Sequence, residues 1–149
     1  MKVNYEIDGN WFHGGTRSAV TEIINSKIST ELGGGELGVG FYIGNYGHLA
    51  SAWARHKNRR DAAVAEIIVT NFKKSGLKKL ELSWLSAKEN YINIILKGKQ
   101  RTFNFDSDVV AAPIVGKAIS SSPVQLKWEG KSSAKYLNST FVAKKITNL

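Results

Sequence analysis

Three short stretches carry the residues whose types and spacing suit chemistry. "FHGG" sets His13 directly before Gly14 and Gly15, at the end of a short apolar run. "GVGFYIGN" places Phe41 and Tyr42 between glycines, and Trp53 follows eleven residues after Tyr42 in "ASAW". "VQLKWEG" carries Gln125, Lys127 and Glu129, which alternation directs to one face if the segment is a strand. Two aromatics flanked by glycine suit a flat ligand held by stacking, and they equally suit an apolar core. Taken alone, His13 suits a turn, Glu129 suits a solvated turn, and Arg101 in "KGKQR" suits a surface cation. The glycines of "GVGFYIG" do not make a dinucleotide fingerprint, because the third falls at the wrong spacing.

The elements that must hold these residues follow from periodicity and punctuation. Strands are predicted over 10–15, over the "GVGFYIGN" segment, and over 62–72, 77–84, 108–116, 124–128 and 140–146. Helices are predicted over 17–28, 46–57 and the "SAKYLNS" segment. A further helix runs to about Lys97, capped by Ser86 with Glu89 three residues on. Leu49, Ala52 and Trp53 are expected on the inward face of the second helix. "STELGGGELGVG" reads as a flexible loop ahead of a strand. Helices early and mostly strands later, without regular βαβ alternation, indicate an α+β fold with a largely antiparallel sheet.

Bulk properties bound the function. The 149 residues suit a single domain, 1–149, with a true core. No cysteine is present, which excludes disulfides, thiolate metal sites and cysteine nucleophiles. No apolar run approaches a membrane span, and the start has no apolar signal region, so no membrane association and a cytoplasmic location are expected. The net charge of +9 is spread over "RHKNRR" (55–60), "KKSGLKK" (73–79) and "KGKQR" (97–101). Such a balance favours polyanions, although it also serves solubility.

In order along the chain, "FHGG", "ELGVGFYIG", "ASAWA", "SWLSAKENYINIILKGKQR", "DVVAAPIVG" and "VQLKWEGKSSAKYL" resemble the ADP-ribosyltransferase superfamily, in its diphtheria-toxin-like and poly(ADP-ribose)-polymerase-like branch. They are most similar to an uncharacterised bacterial family of that superfamily, with motifs H-G-S, D-F-G-x-G-F-Y, A-x-x-W-A, W…R, D-x-V-x-G-P-I and Q-x-x-F…L. The likeness spans about residues 11 to 137. It implies a split β-sandwich with flanking helices and an NAD cleft, with NAD as substrate.

By the resemblance, Gly14 matches the backbone clasp of the nicotinamide carboxamide, and Tyr42 with Trp53 matches the stacking pair. His13 matches the contact to the adenosine-side ribose, and Arg101 matches an arginine that binds phosphate. Gln125 stands where most relatives carry a catalytic glutamate. Glu129 is then a candidate for the missing charge. The implied activity is transfer of ADP-ribose from NAD to a macromolecule, with DNA or RNA favoured by the basic surface and protein also open. The size suits a toxin of a toxin–antitoxin or phage-conflict system, with an antitoxin as partner. Gln125 and the second glycine of "HGG", where relatives have Ser or Thr, favour one alternative, a degenerate NAD, ADP-ribose or nucleic-acid binding module; a plain NAD glycohydrolase is another.

Overall fold

The structure, a computed structural model, describes residues 5–116 and 123–147. Among the described residues, nine strands and four helices follow one another along the chain. They are β1 (Gly9–Thr16), α1 (Arg17–Ile24), β2 (Gly34–Gly35), β3 (Gly38–Val39), β4 (Phe41–Gly44), α2 (Gly47–Asn58), β5 (Ala62–Val69), β6 (Lys79–Glu81), α3 (Trp84–Leu96), β7 (Val109–Pro113), β8 (Val124–Trp128), α4 (Gly130–Leu137) and β9 (Val142–Thr147). Seven strands form a sheet in the order β6-β7-β8-β4-β1-β5-β9, and β2 with β3 makes a separate hairpin. All pairings in the large sheet are antiparallel except β6 with β7. The α+β class and the largely antiparallel sheet therefore hold.

The ladder is uneven. β1 pairs with β5 over eight residues, from Gly9↔Val69 to Thr16↔Ala62. On its other side β1 meets β4 at one partner pair, Phe12↔Gly44. The sheet is thus two leaves, β6-β7-β8-β4 and β1-β5-β9, joined at a thin seam.

Alternation assigns the faces. On one face Trp11, Phe41, Ile43, Ala65, Leu126 and Trp128 form the main core with Val20 and Ile23 of α1. Thr16 starts α1, its hydroxyl accepting from the Ala19 N–H at 3.0 Å. Burying Val20 and Ile23 contributes about 1.5–3 kcal/mol each. On the other face Val110 and Ala112 pack with Leu37, Leu82 and Ala87 of α3, with Tyr42 against them. α2 covers β1 and β5 on this second face.

Several predicted elements shift for identifiable reasons. α1 ends at Ile24 rather than 28, since Asn25 caps it and Ser26 takes a φ of 61°; Ile28 is buried beyond the helix. β5 ends at Val69 because Asn71 turns the chain through the left-handed region at φ 53° into a 3-10 turn, Phe72–Ser75. β6 is shortened to three residues. Ser83, not Ser86, caps α3, accepting the Ser86 N–H at 3.1 Å. α2 buries Ala54, whereas Leu49 and Trp53, expected inward, are exposed. Small residues let this helix lie close on β1, and its bulky ones face out.

Candidate functional site

Two of the candidate residues, His13 and Tyr42, meet at the seam between β1 and β4. Where the backbone ladder is thin, a side chain bridges it: His13 Nδ1 lies 2.6 Å from the Tyr42 carbonyl oxygen. The carbonyl can only accept, so Nδ1 carries the proton and Nε2 is left as an acceptor. The ring also stacks on Phe41 at 4.7 Å between centroids. Burial pushes the His13 pKa below 6.5, against the opposing pull of the Tyr42 carbonyl. The stacking places His13 on the Phe41 face, opposite the Tyr42 side chain. His13 thus reaches Tyr42 through the backbone only, because adjacent strand residues point to opposite faces.

Gly14 does lie on the Tyr42 face, but α2 rests on it. A β-carbon there would sit 2.2 Å from the Ala50 carbonyl oxygen, so helix packing alone requires glycine at this position. Trp53 of α2 is 53 % exposed, and the Lys57 ammonium sits over its ring, 4.9 Å from the centroid. This ring already attracts a cation.

Tyr42 is held by the glycine-rich segment. The expected flexible loop is instead the β2–β3 hairpin, pinned through Gly35 N–H to Gln100 O (3.3 Å) and Val39 N–H to Phe103 O (3.0 Å). The Tyr42 hydroxyl donates to Gly38 O at 2.6 Å and accepts from the Leu37 N–H at 3.0 Å. Gly35 lies against the ring: a β-carbon there would come within 2.9 Å of it. Burial pushes the phenol pKa well above its usual value; the Leu37 N–H opposes this, and the Glu36 and Glu129 carboxylates add to the rise.

Gln125 shares the Tyr42 face, in register with Gly44 and Ala112. Its Nε2 donates to Glu36 Oε1 at 3.2 Å and to the Pro113 carbonyl at 3.4 Å. Glu36 also accepts from the Val115 N–H (3.0 Å) and the Gly116 N–H (2.7 Å). A carboxylate thus stands beside the glutamine, supplied by the hairpin and not by β8. The resemblance carried an available signal, since Glu36 occupies the acidic position of the D-F-G-x-G-F-Y motif.

Glu129 lies further along the same face. It is 3 % exposed, so a solvated turn residue is excluded. It accepts from the Phe105 and Ser107 N–H groups and forms an ion pair with Lys127. Lys127 is fully buried, with Nζ 3.3 Å from the Phe103 carbonyl and 5.2 Å from the centre of the Phe105 ring. Burial pushes the Lys127 pKa down, and Glu129 pulls it back. The charge of Glu129 is therefore neutralised inside the protein. Arg101 is exposed, its Cγ close to Gly34 at the base of the hairpin.

The floor formed by Tyr42, Gly44 and Gln125 between α2 and α3 is the candidate site. Two grooves lie elsewhere, beside Asp108 at the other end of β7. Among the described residues, no cluster of three or more His, Asp or Glu could hold a metal ion, and no helix is long and apolar enough to cross a membrane. No family model matches the chain, and no curated protein or solved structure matches it.

Proposed function

We propose that this protein is an ADP-ribosyltransferase-like enzyme that moves ADP-ribose from NAD to a macromolecular acceptor, nucleic acid before protein. The observation that carries the reading is the Gln125–Glu36 pair beside Tyr42. In the reaction the bond between the ribose anomeric carbon and the nicotinamide nitrogen breaks, and neutral nicotinamide leaves with the electron pair. The ribose becomes oxocarbenium-like, and an acceptor nucleophile forms the new bond and loses its proton. A carboxylate near the anomeric carbon stabilises the positive charge, and an amide orients a ribose hydroxyl. Glu36 and Gln125 supply these two groups at adjoining positions, so Glu36 takes the role first considered for Glu129.

The remaining residues have defined parts in this reading. Trp53 stacks the cationic nicotinamide after Lys57 moves off its ring, and Tyr42 lines the opposite side. His13 acts as a positioning residue through the Tyr42 carbonyl. Arg101, on the exposed side of the hairpin, meets phosphate. A cytoplasmic toxin with a cognate antitoxin fits the small size and basic surface.

A second reading is favoured by one set of contacts: Glu36 already holds two backbone N–H groups, and the Tyr42 hydroxyl already donates its proton within the hairpin. Under it the same floor binds NAD or ADP-ribose without turnover. Incubation with NAD labelled in the adenylate, alone and then with DNA, RNA or cell lysate, separates the readings. Label on a macromolecule means transfer, free ADP-ribose means hydrolysis, and intact NAD at every condition sinks the enzymatic reading.

A further inference from the structure

A groove of about 740 Å³ lies away from the candidate site, between the 3-10 turn Phe72–Ser75 and helix α4. Its walls carry Lys74 from the turn and Lys135 from α4, with Phe141 from the turn before β9. Phe141 is 74 % exposed, a large ring left in solvent. Lys74 and Lys135 are exposed, and neither takes part in an ion pair among the described residues. Lys131 stands four residues before Lys135, on the same face of α4. The one acid in the lining, Asp108, already accepts the Lys78 N–H at 2.6 Å.

We infer that this groove binds single-stranded nucleic acid, with phosphates between Lys74 and Lys135 and a base stacked on Phe141. Cations on facing walls track a phosphate backbone, and an unpartnered aromatic at the rim offers the stacking surface that unpaired bases use. A duplex hides its base faces and does not use Phe141. The basic track is short. The adjoining groove, which shares Asp108 and Ser132, sets Glu31 and Asp106 beside Lys78 and Lys131, and these acids mark the end of the track.

The groove is an anchor and not the reacting site. Asp108 precedes β7, whereas Gln125 pairs with Ala112 near the far end of that strand. Tyr136, which lines the groove, stacks on Trp128, whose side chain is on the face opposite Gln125. As the acceptor side of a transfer the inference rests on the proposed function; as a binding site it does not.

The test uses the full chain without NAD. Fluorescence anisotropy is recorded with labelled oligo-dT and oligo-U, at low and rising salt, for wild type, K74E/K135E, F141A and R59E/R60E. Thermal unfolding checks that each variant is folded, which the exposure of these side chains favours. The expected result is at least a tenfold loss of affinity for K74E/K135E with a shallower salt dependence. F141A should lose several-fold with the salt slope unchanged. No binding by wild type at low salt overturns the inference. So does a K74E/K135E variant that binds like wild type, or loss confined to R59E/R60E, which moves the contact to 55–60. Equal affinity for duplex, unchanged by F141A, overturns the stacking and the single-strand preference. Binding without any NAD turnover leaves the groove intact and sinks only the transferase reading.

Discussion

The two ends of β8 treat charge in opposite ways on one face of one strand. At the Trp128 end, Lys127 and Glu129 neutralise each other inside the protein, and Glu129 ties down the backbone at Phe105 and Ser107. At the Val124 end, a neutral amide meets the half-buried carboxylate of Glu36, which has no ion-pair partner among the described residues. A buried pair of opposite charges serves the fold, because removing either partner leaves the other stranded. The Glu36 carboxylate is met instead by the Gln125 amide and the Val115 and Gly116 N–H groups. In the proposed reading the contrast separates structural charge from charge available for chemistry, though strand alternation alone treats both ends alike.

The largest expected effect tests the sealed end. Lys127→Met strands the Glu129 carboxylate and should cost about 3–5 kcal/mol in urea unfolding. Lys127→Met with Glu129→Gln should recover a good part of that loss, a coupling that a double-mutant cycle measures. A single variant close to wild type in stability would mean that water reaches this end, and the contrast would fail.

At the Val124 end the proposed function places the effect on turnover, not on stability. Glu36→Gln should lower ADP-ribose transfer by about 10²–10³-fold, the scale of losing one preorganised electrostatic group. NAD affinity should hardly move. Gln125→Ala should do the same, since the amide matters most in the transition state. Gln125→Glu alone should bring no gain, because two carboxylates would meet at hydrogen-bonding distance and one would stay protonated. Glu36→Gln with Gln125→Glu restores one charge to the pair and should recover activity. A Glu36→Gln enzyme with wild-type turnover would make Glu36 a clamp for Val115 and Gly116 alone.

A smaller effect concerns the stacking wall. Trp53→Ala should weaken NAD binding by about 1–3 kcal/mol, followed by titration calorimetry. Lys57→Ala should strengthen it slightly by freeing the ring. Tryptophan fluorescence that is indifferent to millimolar NAD would remove Trp53 from the site.

The smallest effect is a pH dependence at the seam. The folded pKa of His13 lies below 6.5, so the unfolded chain binds its proton first as pH falls. The contribution of the neutral ring is full above 6.5 and is lost as pH drops through 6.5 toward the folded value. His13→Gln should flatten this part of the stability–pH profile between about pH 7 and 5, the range set by an ordinary histidine. A profile unchanged by the substitution would show that the His13–Tyr42 bridge does not depend on a neutral ring.

The sequence by itself determined whatever depends on neighbours along the chain. Period-two alternation put Gln125, Lys127 and Glu129 on one face, and the apolar stripe of α1 buried Val20 and Ile23. The absence of cysteine and the excess of lysine and arginine were equally plain. Helix ends were less legible, since Ser83 and Ser86 both suit a cap and packing chose between them.

Only the tertiary structure decided which distant residues meet. Glu36 and Gln125 are 89 residues apart in sequence, and they touch because the β2–β3 hairpin folds back over Tyr42. The depth of Lys127 follows from the loop at 103–107 closing over it, and the need for glycine at 14 follows from α2 lying on β1. His13 points away from Tyr42 because strand order, not sequence proximity, sets which faces coincide. Periodicity is a local property and can be read locally. Strand order and helix docking arise from burying the whole chain at once, and no short stretch carries them.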